Sequence, residues 1–418
     1  MKRCVWLSLV LAVVYAGGVH ADPLVAVGAR VGVCGDSITE QRQYSRFIED
    51  YLLACQPQLQ TVNMQFGWGG DTAAGFDSRF VHDMMPFKPT VVTTCYGMND
   101  GGYQPFNDGV GKRYEDPLRD LVSKLKAAGV TVVVGGPGAV ESGTTVGGKN
   151  TPTEVYNENL KQLSEIARKV AADNGFAFAD VHDAMIDAMA KAKAALGDKF
   201  MVCGGSVHPG ADGHLVMAYA YLKAMGFDGD LGTITIDMKG PSTATGGHKV
   251  LDGANGKAEI ESSRYPFCFW GKPDDSNGTV SILPFVPFNQ DLNRLTLVVK
   301  NLDAAQAKVT WGNQSKTFAK ADLEKGINLA AEFLDNPFSQ AFQKLDNAVA
   351  QKENFETFLV KGAVSPWRGT EDMLKGDPDI LADEAAMQAK LWAHETKYGA
   401  DVPALVVPVK HTITVEAG

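Results

Sequence analysis

Between residues 30 and 226, short runs rich in apolar and β-branched residues alternate with longer segments of helical spacing. This alternation restricts the fold more than any other feature of the chain. Residues 31–34, 61–66, 90–96, 131–134 and 176–181 read as strands. Among the intervening segments, Tyr44, Phe47, Ile48, Tyr51 and Leu52 share one helical face of residues 42–53, and residues 118–128 and 152–174 read as helices closed by Gly129 and Gly175. Residues 213–225 supply a last helix. Parallel strands need helical crossovers, and strands apolar on both faces must be covered on both. The expected architecture is therefore α/β, an open parallel sheet with helices on both faces. Ligands of such sheets bind at the carboxyl ends of the strands.

Beyond residue 226 the texture changes. Residues 229–256 are rich in Gly, Ser, Thr and Asp with a strand-like piece at 233–238, and more follow at 258–262, 280–285, 295–299 and 308–311, with the turn Ser276-Asn277-Gly278 among them. This half reads as a β-sandwich-like module with helical segments at 339–361 and 383–398 and a final strand at 411–415. At the other end, Met1-Lys2-Arg3 precedes an apolar run over residues 5–14, and Val19-His20-Ala21 places small residues at a cleavage position. The expected organisation is a leader at 1–21 cleaved after Ala21, a first unit at 22–228 and the β-rich module at 229–418. Export to the periplasm or outside the cell follows. The apolar run is too short for a stable span, so no stable membrane insertion is expected.

An apolar fraction of 45% spread along the chain excludes bulk disorder. The formal charge of −10 becomes −12 when Lys2 and Arg3 leave with the leader, which argues against a nucleic-acid partner, since phosphate contacts need a basic face. Five cysteines remain once Cys4 is lost. The number is odd and sparse, and no CxxC pair or Cys/His cluster occurs, so neither a disulfide scaffold nor a zinc site is expected.

Four short pieces carry chemistry. Gly35-Asp36-Ser37-Ile38-Thr39-Glu40 follows the first strand, Gly67-Trp68-Gly69-Gly70-Asp71-Thr72 the second, and Gly97-Met98-Asn99-Asp100 the third. Val207-His208-Pro209-Gly210 stands just before the last helix. Each alone reads as ordinary local structure: a helix N-cap, a glycine turn, an asparagine turn and a loop histidine. Together and in this order they resemble the SGNH (GDSL-type) hydrolase family, whose four blocks carry a serine, a glycine, an asparagine and a histidine. The match spans about half the chain.

The resemblance implies a flavodoxin-like sheet, with Ser37 as nucleophile and His208 as base. It also implies an oxyanion hole formed by the backbone N–H groups of Ser37 and Gly70 and the side chain of Asn99. A serine hydroxyl needs a neighbouring base to attack at neutral pH, and acyl transfer needs donors aimed at the oxygen that becomes negative. No metal or organic cofactor is required. The family's pattern departs at one position: where an aspartate usually stands three residues before the histidine, this chain has Gly205. Three arrangements are compatible with the residue types. A backbone carbonyl near Gly204 or Gly205 accepts the His208 Nδ1–H and leaves a Ser–His dyad, a carboxylate from elsewhere (Asp212 or Asp183) substitutes, or the protein binds with feeble turnover.

The resulting expectation is an exported serine esterase acting on O-acyl esters, acetyl above all, of a carbohydrate or other small acylated molecule. A lipase or thioesterase for longer chains, and a degenerate domain that binds acylated glycans, are the rivals. Asp36 and Asp71 are expected to brace their loops. His82, His182 and His214 are expected to be structural, and Trp270 and Trp311 to be core residues.

Overall fold

Five strands of the first half pair only in parallel: β1 (Arg30–Gly35), β2 (Val62–Gln65), β3 (Val91–Cys95), β4 (Thr131–Gly135) and β5 (Ala177–Ala179), in the order β2-β1-β3-β4-β5. The structure is a computed structural model describing residues 23–141, 145–147, 150–198, 200–203 and 206–418. The expected leader, its cleavage after Ala21, and Gly205 lie outside the described residues. Seven helices connect the strands: α1 (Ser37–Glu40), α2 (Tyr44–Asp50), α3 (Ala73–Asp83), α4 (Asp108–Ala127), α5 (Thr153–Asn174), α6 (Val181–Leu196) and α7 (Ala211–Ala224).

Alternate residues of each strand feed opposite cores. Val31, Val33, Val91 and Val133 pack with Phe47 and Ile48 of α2 and Leu215 of α7, whereas Cys34, Val92, Val132 and Val134 pack with Phe76 of α3, Leu118 and Leu121 of α4 and Leu163 of α5. The expected α/β sheet covered on both faces is thus present. Helix α4 starts ten residues earlier than its spacing predicts and runs through Pro117. Val110, Tyr114 and Leu118 lie on its buried face, and their packing outweighs the hydrogen bond that a proline cannot donate.

The second half holds two further sheets. In one, β6 (Asp230–Asp237) pairs in parallel with β9 (Arg294–Lys300). In the other, β7 (His248–Ala254), β8 (Lys257–Ser262), β12 (Val409–Ala417), β10 (Gln306–Trp311) and β11 (Gln314–Ala319) are neighbours in that antiparallel order. Their inner faces share one core, with Ile234, Ile236, Leu295 and Leu297 against Ala258, Ile260, Val309, Trp311 and Ile413. Trp311 is fully buried, as expected, whereas Trp270 is 43% exposed and not a core residue. Residues 280–285 do not form the expected strand; Leu283, Phe285 and Val286 close turns onto Val280 and Ile282. Pro284 and Pro287 cannot donate to a ladder, and the adjacent Phe288 is held in an aromatic cluster with Phe267 and Phe269. The five cysteines of the described residues are buried and unpaired.

Two histidines tie the sheets together. Trp311 Nε1–H donates to His411 Nδ1 at 3.1 Å, so His411 carries its proton on Nε2 and donates to Ser262 Oγ at 2.8 Å. Ser262 in turn donates to His248 Nδ1 at 2.7 Å, and His248 Nε2–H reaches the Leu231 carbonyl of β6 at 2.9 Å. Every member is satisfied only when both imidazoles are neutral. Burial pushes His411 down to about 3 and lowers His248 as well.

Helix α8 (Ser339–Phe358), in the second half of the chain, covers the edge strand β2. Glu356 accepts the Gln65 backbone N–H at 2.9 Å and Thr357 Oγ1 accepts from Gln65 Nε2 at 2.8 Å. Lys352, 1% exposed, donates to Glu49 at 3.0 Å, to the Asn63 carbonyl at 2.6 Å and to Glu356. No helix among the described residues is long and apolar enough to cross a membrane.

The histidine chain makes stability acid-sensitive in a defined direction. An unfolded histidine gains its proton near 6.5 and His411 only near 3, so the wild type loses stability as pH falls through that window. His411→Gln, which removes both the chain and the titration, is expected to cost about 1–3 kcal/mol at pH 7.5, with the gap to wild type narrowing at pH 4.5. Thermal melts at the two pH values check this.

Candidate active site

All four chemical pieces lie around one end of the sheet. The first three follow the carboxyl ends of β1, β2 and β3, which are adjacent in the order β2-β1-β3. The connection leaving β1 runs outward to β2 and the one leaving β3 runs outward to β4, in opposite directions, which leaves a crevice between β1 and β3. The fourth piece enters from the start of α7.

Ser37 is the first residue of α1. Asp36 caps the helix, its carboxylate accepting the Ile38 N–H at 2.9 Å. His208 Nε2 lies 2.9 Å from Ser37 Oγ, a contact between residues 171 apart in the chain. Among the described residues no hydrogen bond reaches His208 Nδ1. Asp212 Oδ1 accepts from the Gly213 N–H, its other oxygen is buried with no partner among the described residues, and burial raises the carboxyl to about 8. Asp183 is engaged by His182 Nδ1 at 2.9 Å. The segment before the histidine is instead clipped by buried Glu141, which accepts the Cys203 N–H at 3.1 Å, donates its own N–H to Ser206 O and pairs with Lys193 at 2.9 Å.

On the other side, Trp68-Gly69-Gly70-Asp71 forms a turn closed by Asp71 N–H to Trp68 O at 3.1 Å, with Gly70 at φ +76°. That left-handed backbone admits glycine without strain. The N–H groups of Ser37 and Gly70 have no hydrogen-bond partner among the described residues. Asn99 Nδ2 donates one hydrogen to the Asp71 carbonyl at 2.9 Å, and Asn99 Oδ1 accepts from Tyr103 at 3.1 Å. Tyr103 adopts φ +51°, unusual for a bulky residue, and stacks on Tyr156 with centroids 5.1 Å apart. The amide is held at both ends, with no partner for its second hydrogen among the described residues.

Three carboxylates brace these loops. Asp71 takes two bonds from Arg79 at 2.8 and 3.1 Å. Asp100 accepts the N–H of Gly97 at 2.9 Å and of Ala73 at 3.0 Å, joining the third piece to the second. Burial raises Asp36 to about 7 and Asp100 to about 6, with the neighbouring carboxylates adding to the rise. His214 is buried, meets Gln41 at 3.2 Å and is pushed down to about 3 by desolvation, which leaves it a neutral structural group. His82 meets Asp83 at 3.0 Å.

The structure thus brings Ser37, Gly70, Asn99 and His208 to one crevice. Sequence reading missed Tyr103, although it stands one helical turn after Asn99. It also missed Glu40, whose carboxylate accepts the Gly69 N–H.

Residues 33–216 match the family model of GDSL-like lipase/acylhydrolases. An acetylxylan esterase of Geobacillus stearothermophilus is 26% identical over 221 residues, 50% of this chain and 95% of that protein. A solved gut microbial diltiazem-metabolizing enzyme shares the fold over 94% of this chain and 98% of its own, at 24% identity and a TM-score of 0.70. A crystal structure of the Geobacillus stearothermophilus acetylxylan esterase aligns with 49% of this chain and 96% of its own at 23% identity, with a TM-score of 0.40.

Because Asp100 satisfies two buried N–H groups from two loops, Asp100→Ala is expected to destabilise the protein by roughly 2–5 kcal/mol, with Asp100→Asn in between. Urea unfolding followed by tryptophan fluorescence measures both.

Proposed function

Since residues 33–216 belong to the GDSL-like lipase/acylhydrolase family, a family of ester hydrolases, we propose that this protein is an exported serine esterase that removes acetyl groups from carbohydrates through a Ser37–His208 dyad. The observation that carries the reading is the 2.9 Å contact between Ser37 Oγ and His208 Nε2. Ser37 attacks the ester carbonyl as His208 Nε2 takes its proton. The oxygen that becomes negative is met by the N–H groups of Ser37 and Gly70 and by the free hydrogen of Asn99 Nδ2. His208 then protonates the departing sugar oxygen. Water, activated by the same imidazole, attacks the acetyl-enzyme and releases acetate.

The carbohydrate acetyl substrate is supported by the similarity to an acetylxylan esterase, and export by the leader-like residues 1–21. A dyad with Gly205 where the family usually carries an aspartate gives the imidazolium formed in each step less charge stabilisation. That favours acetyl esters over amides, whose leaving groups need more help.

The wild type is expected to react with an active-site-directed fluorophosphonate and to release acetate from acetylated xylan, Ser37→Ala to do neither, and Asn99→Ala to lose about 10²–10³ in kcat. Labelling and turnover that persist in Ser37→Ala overturn the reading. Gly205→Asp, which puts a carboxylate at the family's usual position, is expected to raise kcat by at least ~10-fold on an aryl acetate, within the ~10⁴ that this charge supplies in another serine hydrolase. An unchanged kcat means that another group already orients the imidazole.

A further inference from the structure

The second half of the chain reaches the proposed oxyanion loop through Lys361. Helix α8 is fixed in register on β2 by buried Lys352, Glu353 and Glu356, with Glu353 bonded to Ser45 at 2.9 Å and Glu356 to the Gln65 N–H. The chain then continues through a wide helical turn at Leu359–Val364. That turn delivers Lys361 onto Glu40, the last residue of α1. The other oxygen of Glu40 accepts the Gly69 N–H. Arg42, two residues on, bonds both the Glu40 carbonyl at 2.8 Å and Thr357 at 3.4 Å. The contact is repeated at Trp68, whose ring has Lys361 Nζ 5.0 Å and the Arg79 guanidinium 4.8 Å from its centroid.

The glycines of this loop report the same packing. A Cβ on Gly67 would stand 2.3 Å from the Glu40 backbone nitrogen, and one on Gly69 2.7 Å from the Glu40 carboxylate. A side chain at either site would lift the loop off Glu40. Trp68, Gly69 and Gly70 therefore rest on α1 through Glu40, and the Gly70 N–H has no hydrogen-bond partner among the described residues.

We propose that Glu40 and Lys361 are positioning residues for ester hydrolysis: Lys361, supplied by the second half of the chain, holds the Glu40 carboxylate on the Gly69 N–H and so fixes where the Gly70 N–H points. The inference rests on the esterase reading above. It makes the second half a structural part of the catalytic apparatus. Glu40 lies three residues beyond the nucleophile on the same short helix, so the pair also sets the spacing between Ser37 and Gly70, the two backbone donors. An oxyanion donor displaced by a fraction of an ångström loses transition-state stabilisation while leaving substrate binding nearly untouched.

The full-length protein tests this with an aryl acetate. Lys361→Met, which keeps the stem and removes the charge, is expected to lower kcat roughly 10-fold with KM within about twofold, and to slow fluorophosphonate labelling in parallel, because that adduct uses the same donors. Lys361→Arg is expected to restore most of the rate, and Lys361→Met combined with Glu40→Gln to be no worse than the weaker single variant. A wild-type kcat in Lys361→Met while Ser37→Ala is inert overturns the positioning role and leaves the esterase reading standing. Equal falls in kcat and in melting temperature that Lys361→Arg does not restore overturn it too. Retained activity in Ser37→Ala removes the reading on which it rests.

Discussion

The structure depends on where the parallel sheet reverses its winding. From β1 the chain moves outward to β2 and then crosses back to β3 on the other side, so the carboxyl ends of three strands meet at one crevice. Each strand end releases a loop there, and each loop carries one of the proposed catalytic groups. No single segment of sequence contains the site. Ser37 and His208 become neighbours only because α7 packs back on the same face of the sheet as α2, where Tyr44 stacks with Tyr221 at 5.6 Å and His214 at 6.1 Å.

The crevice has to present N–H groups to a ligand, and those groups cannot also be used to hold the loops in place. Carboxylates do that work from below. Asp36 caps the helix that bears Ser37, Asp71 is locked by Arg79, and Asp100 ties the Gly97 turn to the start of α3. Burial raises Asp36 and Asp100 toward neutrality, and each is held by backbone N–H donors that favour the charged form. Rigid loops with uncommitted donors are what an electrostatic site needs, because the donors then need not reorganise when charge develops.

The second half of the chain is joined to the first by packing as much as by polar contacts. Phe47 of α2 and Tyr51 just beyond its end meet Phe267 and Phe288 edge-on, at 6.2 and 6.5 Å, so the aromatic core runs without a break from the parallel sheet into the β-rich half. Helix α8 closes the exposed edge of β2, a position that would otherwise offer unpaired backbone groups to another strand. A buried lysine among several glutamates fixes its register more tightly than apolar packing alone would, because a shift would leave those charges without partners.

Sequence alone determined the alternation of strands and helices, the identity of the four chemical pieces and the departure at Gly205. These are local: strand and helix periods are written in neighbouring residues, and the order Ser37, Gly70, Asn99, His208 is independent of geometry. It misplaced residues 280–285, where prolines and an aromatic cluster override an apolar pattern, and it started α4 ten residues late, beyond the Pro117 that the helix in fact contains. Only the tertiary structure decided that Tyr103 orients Asn99, that Trp270 lies at the surface, and that Lys361 reaches Glu40 across 321 positions of chain. Such contacts have no sequence period. They follow from which surfaces the packed sheet and helices leave facing one another.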